Sequence, residues 1–323
     1  MELLVASLLV VGGLALLTGG GEALVRGATT IAQLVGLPPA VIGLTIVAMG
    51  TSLPELVVSV VAAMQDQPDI AVGNVVGSNI FNITGALGLT ALLLPLPVHG
   101  AAVRREWPFM FAVSLLCLIV ALDGAIGRVE GTGFLIALAG FVAFSVRLAR
   151  VEVTAAERVE FAESAAARGL PPRARRYAVA AALLAVGIAL LVVGGRLLVD
   201  GAVSLARLAG LTERVIGLTV VAAGTGAPEL ATSLVAAARR RTDVAIANMI
   251  GSNIFNILGI LGVAALVQPL AVSPAIARSD VWWMLGTVLL LYPLMRSGAR
   301  IVRLEGGILL ATYVVYVVLL LRV

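Results

Sequence analysis

The chain has 323 residues, 60% of them apolar and only 12% charged, with a mean hydropathy of +1.09. An ordinary soluble domain carries about 25% charged residues, so the bilayer is this protein's solvent. The formal charge of +4 comes from arginines gathered in particular connections, which points to membrane topology rather than nucleic acid. A single His99 and a single Cys117 exclude an intrachain disulfide and argue against a zinc site of the imidazole and thiolate kind.

Ten apolar stretches, most near the roughly 20 residues that cross about 30 Å of hydrocarbon, predict an all-α polytopic membrane protein. Their cores are 2–20, 40–64, 70–96, 108–122, 131–147, 178–199, 215–238, 244–270, 281–295 and 305–321. The first carries Glu2 and no basic residue before its apolar run, so it reads as a helix of the mature protein rather than a secretory leader. After it, Glu22 and Arg26 are spaced for a helical ion pair; Arg196 and Asp200 repeat that spacing with the signs reversed.

The second span contains GLTIVAMGTSLPEL, residues 43–56. Pro54 offers no N–H to the carbonyl of Gly50 and crowds that turn, so the helix is expected to break there and free backbone oxygens near Gly50 and Thr51. Non-helical backbone at this depth is tolerated only where protein buries it or where it lines a wet cavity. Glu55 follows at once, a carboxylate in mid-span costing roughly 2.5–3.5 kcal/mol on the lenient insertion scale. Thr51 lies one turn earlier on the same face, so hydroxyl, carbonyl and carboxylate converge as a hard cation requires.

The third span begins near Asp69, read as a helix cap. Asn74, Ser78 and Asn82 then recur every four residues on one face. Ser78 and Asn82 are candidate oxygen ligands, Asn74 and Asn79 candidate ties between helices, and Gly73 with Gly77 suits close packing. The next connection holds His99, Arg104 and Arg105; the stretch VEVTAAERVEFAESAAARGLPPRARR after the fifth span is charged and too short for a folded regulatory domain.

Offsetting the chain by 174 positions aligns its halves without a gap, with about 31 of 54 positions identical between 43–96 and 217–270. The seventh span accordingly contains GLTVVAAGTGAPEL, residues 217–230, with Thr225, Pro228 and Glu229 in the same arrangement; the eighth contains Asp243, read as a helix cap, Ser252 and Asn256 as candidate oxygen ligands, and Asn248 and Asn253 as candidate ties. Each repeat has five spans, an odd number, so the two are expected to be inverted: 1–149 the first five-helix repeat, 150–174 a cytosolic connecting segment, 175–323 the second. With both termini outside, about fifteen of 22 arginines fall on the cytoplasmic side, including those of the 147–176 connection, and Arg128, Arg207, Arg214 and Arg278 fall outside.

The paired GTSLPEL / GTGAPEL and GNVVGSNIFN / ANMIGSNIFN segments closely resemble the two alpha-repeats of the calcium/cation antiporter superfamily, especially its compact prokaryotic sodium/calcium exchangers. The resemblance covers essentially the whole chain. It implies sodium entry driving calcium export through a cell membrane, with the first and sixth spans sliding past the core. It further implies Glu55 and Glu229 as principal calcium ligands, helped by Thr51 and Thr225 through backbone carbonyls. The Ala48 and Ala222 carbonyls, Ser52, Ser78, Asn82, Ser252 and Asn256 would line sodium sites. Two departures stand out: Gly226 where many relatives have serine, and Ala247 where a glycine is usual.

Two ionised glutamates facing each other with nothing bound would be a costly buried pair, so an empty site should resist moving while calcium, sodium ions or protons would neutralise it. Hard oxygen ligands favour sodium, calcium or magnesium over softer metals. A proton-coupled exchanger of calcium or another divalent cation shares every one of these features. An intramembrane hydrolase would need a general acid and base around an organised water, and nothing else catalytic accompanies the pair. No cofactor and no protein partner are implied; the expected partners are calcium and sodium ions and the lipid bilayer.

Overall fold

A computed structural model describes residues 2–152, 173–208 and 222–320. Most of the expected 150–174 connection, Arg214, and residues 215–221 of the expected seventh span lie outside these residues. Among the described residues, seven helices are long and apolar enough to cross a membrane, and two more, bent against each other at a short break, are long and apolar enough when taken together.

In chain order the helices are α1 (Glu2–Val35), α2 (Pro39–Thr51), α3 (Leu53–Met64), α4 (Pro68–Leu93), α5 (Ala102–Leu122), α6 (Arg128–Glu152), α7 (Arg173–Leu208), α8 (Ala222–Thr225), α9 (Ala227–Ala238), α10 (Thr242–Val267), α11 (Val281–Arg296) and α12 (Arg303–Leu320). The first helix runs well past its apolar core and stops at a local signal. Gly36 takes a left-handed φ of 67° and the Leu37 N–H returns to the Ala32 carbonyl at 2.9 Å, a glycine C-cap followed by Pro38.

Burial sorts the helices into a centre and a rim. The apolar windows of α4 and α10 are each 83% buried, whereas those of α6 and α12 are 17% buried. Rim side chains such as Leu8, Ile136 and Leu304 are exposed. In hydrocarbon that exposure carries no penalty, because lipid tails are as apolar as leucine. The asparagine and serine stripes therefore sit on α4 and α10, the two most buried of these helices.

Two short antiparallel ladders close the loops across the halves: β1 (Leu96–Pro97) pairs with β4 (Arg300–Ile301), and β2 (Ala125–Ile126) with β3 (Leu270–Ala271). At the rim, α1 and α7 touch backbone to backbone. A Cβ on Gly20 would fall 2.9 Å from the Gly187 carbonyl oxygen and the Leu191 nitrogen, and one on Gly187 would fall 2.7 Å from the Leu24 nitrogen. Gly13 meets Gly194 and Gly27 meets Ala180, so the contact is antiparallel with a glycine every seventh residue. Only glycine permits that approach.

Three local expectations need correction. Asp69 and Asp243 are not caps: Gln67 and Arg241 hold the cap positions, with no side-chain capping bond, and the aspartates lie inside the first turn. There the positive end of the helix dipole still favours their charge. Arg196 and Asp200 make no ion pair among the described residues, whereas Glu22 does pair with Arg26 and also takes a two-pronged contact from Arg239, including Arg239 Nε to Glu22 Oε2 at 2.9 Å. Close glycine packing of the third-span type appears at Gly251, where a Cβ would lie 2.4 Å from the Leu44 carbonyl oxygen; Gly73 has only the tip of Ile276 nearby, at 3.9 Å.

Candidate cation site

The site begins with the two breaks. Between α2 and α3 the axis bends by 47° at Ser52, whose φ of −82° and ψ of 10° leave the helical region. The Ser52 N–H still reaches the Ala48 carbonyl at 3.1 Å and the Ser52 carbonyl accepts from Leu56 at 3.1 Å, but Pro54 has no N–H for the Gly50 carbonyl. Between α8 and α9, Gly226 takes a φ of −83° and a ψ of 4°, and its carbonyl accepts from Leu230 at 3.1 Å. Glu55 and Glu229 thus each stand in the first turn of a fresh helix, where the aligned N–H groups favour an anion. Both are buried, at 1% and 0% exposure.

Across the break, Ser52 Oγ of the first half donates to Glu229 Oε1 at 2.9 Å. Gly226 has no hydroxyl to return the favour to Glu55. Its place is filled by the Phe81 ring, whose Cδ1 and Cε1 lie 2.4 and 2.6 Å from where a Cβ on Gly226 would stand. The asymmetry legible as serine against glycine is therefore built into the packing as well.

Each break is strapped to the helix that follows it. Asn74 Nδ2 donates to the Glu55 carbonyl at 3.2 Å and to Ser59 Oγ at 2.9 Å; Asn248 Nδ2 makes the same two contacts to Glu229 and Ser233 at 3.5 and 3.1 Å. Ser59 and Ser233 were not singled out in the sequence, although both belong to the identical positions of the repeat. Thr51 Oγ1 donates to the Ala48 carbonyl at 3.2 Å and lies 3.4 Å from Asn248 Oδ1 and 3.5 Å from Ser252 Oγ. The Ala48 carbonyl thus has both lone pairs engaged, by Ser52 N–H and by this hydroxyl. Thr225 is half-buried and Ala222 opens α8.

Asn82 and Asn256 lie where α4 and α10 widen to π-helical turns, Phe81–Leu87 and Asn256–Leu261. Such turns insert a residue into the helical ladder and re-aim side chains, commonly at functional sites. Ser78, Asn82, Ser252 and Asn256 are all buried, at 5% exposure or less. Asn79 and Asn253 exchange bonds between α4 and α10: Asn79 Nδ2 to the Asn253 carbonyl at 3.2 Å, and Asn253 Nδ2 to the Asn79 carbonyl at 3.4 Å.

Among the described residues, five buried side-chain oxygens have no hydrogen-bond partner: Glu55 Oε2, Glu229 Oε2, Asn82 Oδ1, Asn256 Oδ1 and Thr232 Oγ1. Buried acceptors are nearly always paired, and each one left alone costs about 1–3 kcal/mol. The first four come in matched pairs, two from each half. Among the described residues no group of three or more His, Cys, Asp or Glu is placed to hold a metal ion, so no third acidic side chain joins the two carboxylates in such a group. A cleft of about 460 Å³, lined by Pro54, Arg196, Asp200, Gly224, Thr225 and Pro228, runs up to both breaks.

A family model described as sodium/calcium exchanger protein matches residues 5–147 and 179–322. The protein CaxA of Alkalimonas amylolytica is 42% identical over 321 residues, covering 98% of this chain and 99% of its own. The sodium/calcium exchanger MaX1 of Methanosarcina acetivorans is 31% identical over 336 residues, 95% of this chain and 96% of its own. Among solved structures, the sodium-calcium exchanger NCX_Mj soaked with sodium and strontium superposes with a TM-score of 0.81 at 30% identity, over 98% of both chains.

Proposed function

The chain belongs to the sodium/calcium exchanger protein family, and on that premise we propose how it performs sodium/calcium antiport at a site shared between its halves. The observation that carries the reading is the set of four unpartnered buried oxygens, Glu55 Oε2, Glu229 Oε2, Asn82 Oδ1 and Asn256 Oδ1. Hydrogen-bond donors would quench such a set; a cation uses it. Two carboxylates with neutral amide, hydroxyl and carbonyl oxygens suit a hard ion held loosely enough to leave.

Glu55 and Glu229 are the calcium ligands in this proposal, joined by the Thr51 and Thr225 carbonyls. Ser52, Ser78, Asn82, Ser252, Asn256 and the Ala48 and Ala222 carbonyls hold sodium around the same two charges. For the Ala48 carbonyl to serve an ion, the Thr51 hydroxyl must turn away from it. Charge then couples the fluxes. One calcium or a set of sodium ions neutralises the carboxylates and lets the protein switch, whereas the empty pair, buried and mutually repelling, resists crossing the occluded state. Sodium entering down its gradient expels calcium.

The architecture proposed for this cycle is ten transmembrane helices in two inverted five-helix repeats, 1–149 and 175–323, joined by a cytosolic segment at 150–174, with both termini outside. Inverted repeats supply two equivalent ways of opening around one mid-membrane site. The backbone contact between α1 and α7 supports treating these two helices as one moving body, sliding over a core built on α4 and α10.

The test is calcium uptake into proteoliposomes, driven first by an outward sodium gradient and then by a pH gradient without sodium. Sodium-driven uptake is expected, and its absence would defeat the coupling. Glu55→Gln and Glu229→Gln should each lower it by about 100-fold or more, the scale of removing one partner from a buried charged site. Full flux in either variant would defeat the site.

A further inference from the structure

Resting on the reading of Asn82 and Asn256 as ligands, we propose that Asn253 and Asn79 are positioning residues that decide which end of those two amides faces the ion. A carboxamide has an acceptor end and a donor end of nearly the same shape. Only the oxygen end can hold a cation; the NH₂ end would repel it. Something must choose between them.

The choice follows from groups that cannot change roles. The Asn253 backbone carbonyl can only accept, so the Asn79 atom 3.2 Å from it is the NH₂ nitrogen, which also points to the weak acceptor Sδ of Met284 at 3.6 Å. Asn79 Oδ1 is thereby turned the other way and takes Asn256 Nδ2 at 3.0 Å. With its NH₂ committed, Asn256 presents Oδ1, one of the four unpartnered oxygens. The mirror chain runs from the Asn79 carbonyl, at 3.4 Å, and Met110 Sδ, at 3.7 Å, through Asn253 to Asn82 Nδ2 at 3.1 Å, and leaves Asn82 Oδ1 unpartnered.

The wiring is crossed: the anchor in each half orients the ligand of the other. All four asparagines are 0–1% exposed, so bulk water cannot substitute for a lost anchor. Partners one shell outside a metal's ligands typically change affinity 10- to 100-fold when removed.

Asn79→Leu, close in size but unable to donate or accept, is the direct perturbation, read in the full-length protein as the internal sodium concentration that half-maximally drives calcium uptake and as sodium-dependent thermal stabilisation in detergent. It should raise the half-saturating sodium about 10- to 100-fold in the parent chain. In an Asn256→Asp background the same change should shift it by no more than about twofold relative to that background, because a carboxylate presents oxygen whichever way it turns. Equal shifts in both backgrounds, or a fall in maximal rate with unchanged half-saturation, would overturn the positioning role.

Asn253→Leu with Asn82→Asp repeats the test through the mirror chain. Asn79→Ser, too short to span its partners, replaces Asn79→Leu if the latter does not fold. An Asn256→Leu variant with parental sodium affinity would instead remove Asn256 from the ligand set, a separate failure from that of its anchor.

Discussion

Gly226→Ser looks like a repair, since it restores to the second break the hydroxyl that Ser52 supplies to the first. The structure predicts that it fails as a single change. A Cβ at 226 would stand 2.4 and 2.6 Å from Phe81 Cδ1 and Cε1, about 1 Å inside ordinary contact. The ring has little room to retreat. It lies within 2.5 Å of the Cβ position of Gly85 and meets Tyr313 edge-on with centroids 5.3 Å apart. Overpacking of this kind costs about 1–3 kcal/mol. Phe81→Leu removes the colliding edge, so the double variant should recover part of that cost, with a favourable coupling of about 1–2 kcal/mol for residues in direct contact. Unfolding of the parent, both single variants and the double variant in one detergent gives the coupling directly. In the double variant the new hydroxyl can donate to Glu55 as Ser52 does to Glu229 at 2.9 Å, and half-saturating sodium should fall. A Gly226→Ser protein as stable as the parent, or strictly additive energies in the cycle, would show that Phe81 does not occupy the place of the missing side chain.

Other outcomes follow from single contacts. Ser52→Ala removes a buried hydroxyl bonded to the Glu229 carboxylate at 2.9 Å, an interaction on the order of 1.5–3 kcal/mol. It should raise half-saturating sodium about tenfold while moving calcium less, and a larger effect on calcium in parallel uptake assays would reject the sodium role of Ser52. Gly20→Val puts a branched side chain 2.9 Å from the backbone of α7, and should cost about 3 kcal/mol of stability, visible as loss of folded protein on heating; an unchanged melting curve would mean that α1 and α7 do not touch there. Arg239→Gln removes the two-pronged contact to Glu22, but their side chains are 52% and 26% exposed, so the cost should be about 1 kcal/mol or less and should shrink further in 1 M salt. A cost well above that, insensitive to salt, would place the pair in a drier setting.

Much of this protein is written locally. Low charge and long apolar runs announce the membrane. The 174-residue offset announces two related halves. The Pro54–Glu55 and Pro228–Glu229 steps announce broken helices carrying carboxylates, since a proline's missing N–H acts wherever the chain goes. The four-residue stripes put Asn74, Ser78 and Asn82 on one face because helical period alone places them there. Asn74 and Asn248 were legible as ties, though not what they tie to.

The tertiary structure decided what depends on two distant segments meeting. Nothing in the period of α4 says that Asn82 gives its NH₂ to Asn253; that follows from α10 lying alongside, where Asn253 commits its own NH₂ to the Asn79 backbone carbonyl and so turns its Oδ1 to Asn82. The same holds for Phe81 moving into the space over Gly226, and for the glycines of α1 meeting those of α7, which read in sequence only as scattered small residues. Chemistry within one helical turn is set by covalent geometry and is visible in a string of letters. Orientation and packing across 174 residues are set by which surfaces exclude one another, and exist only once the halves are assembled.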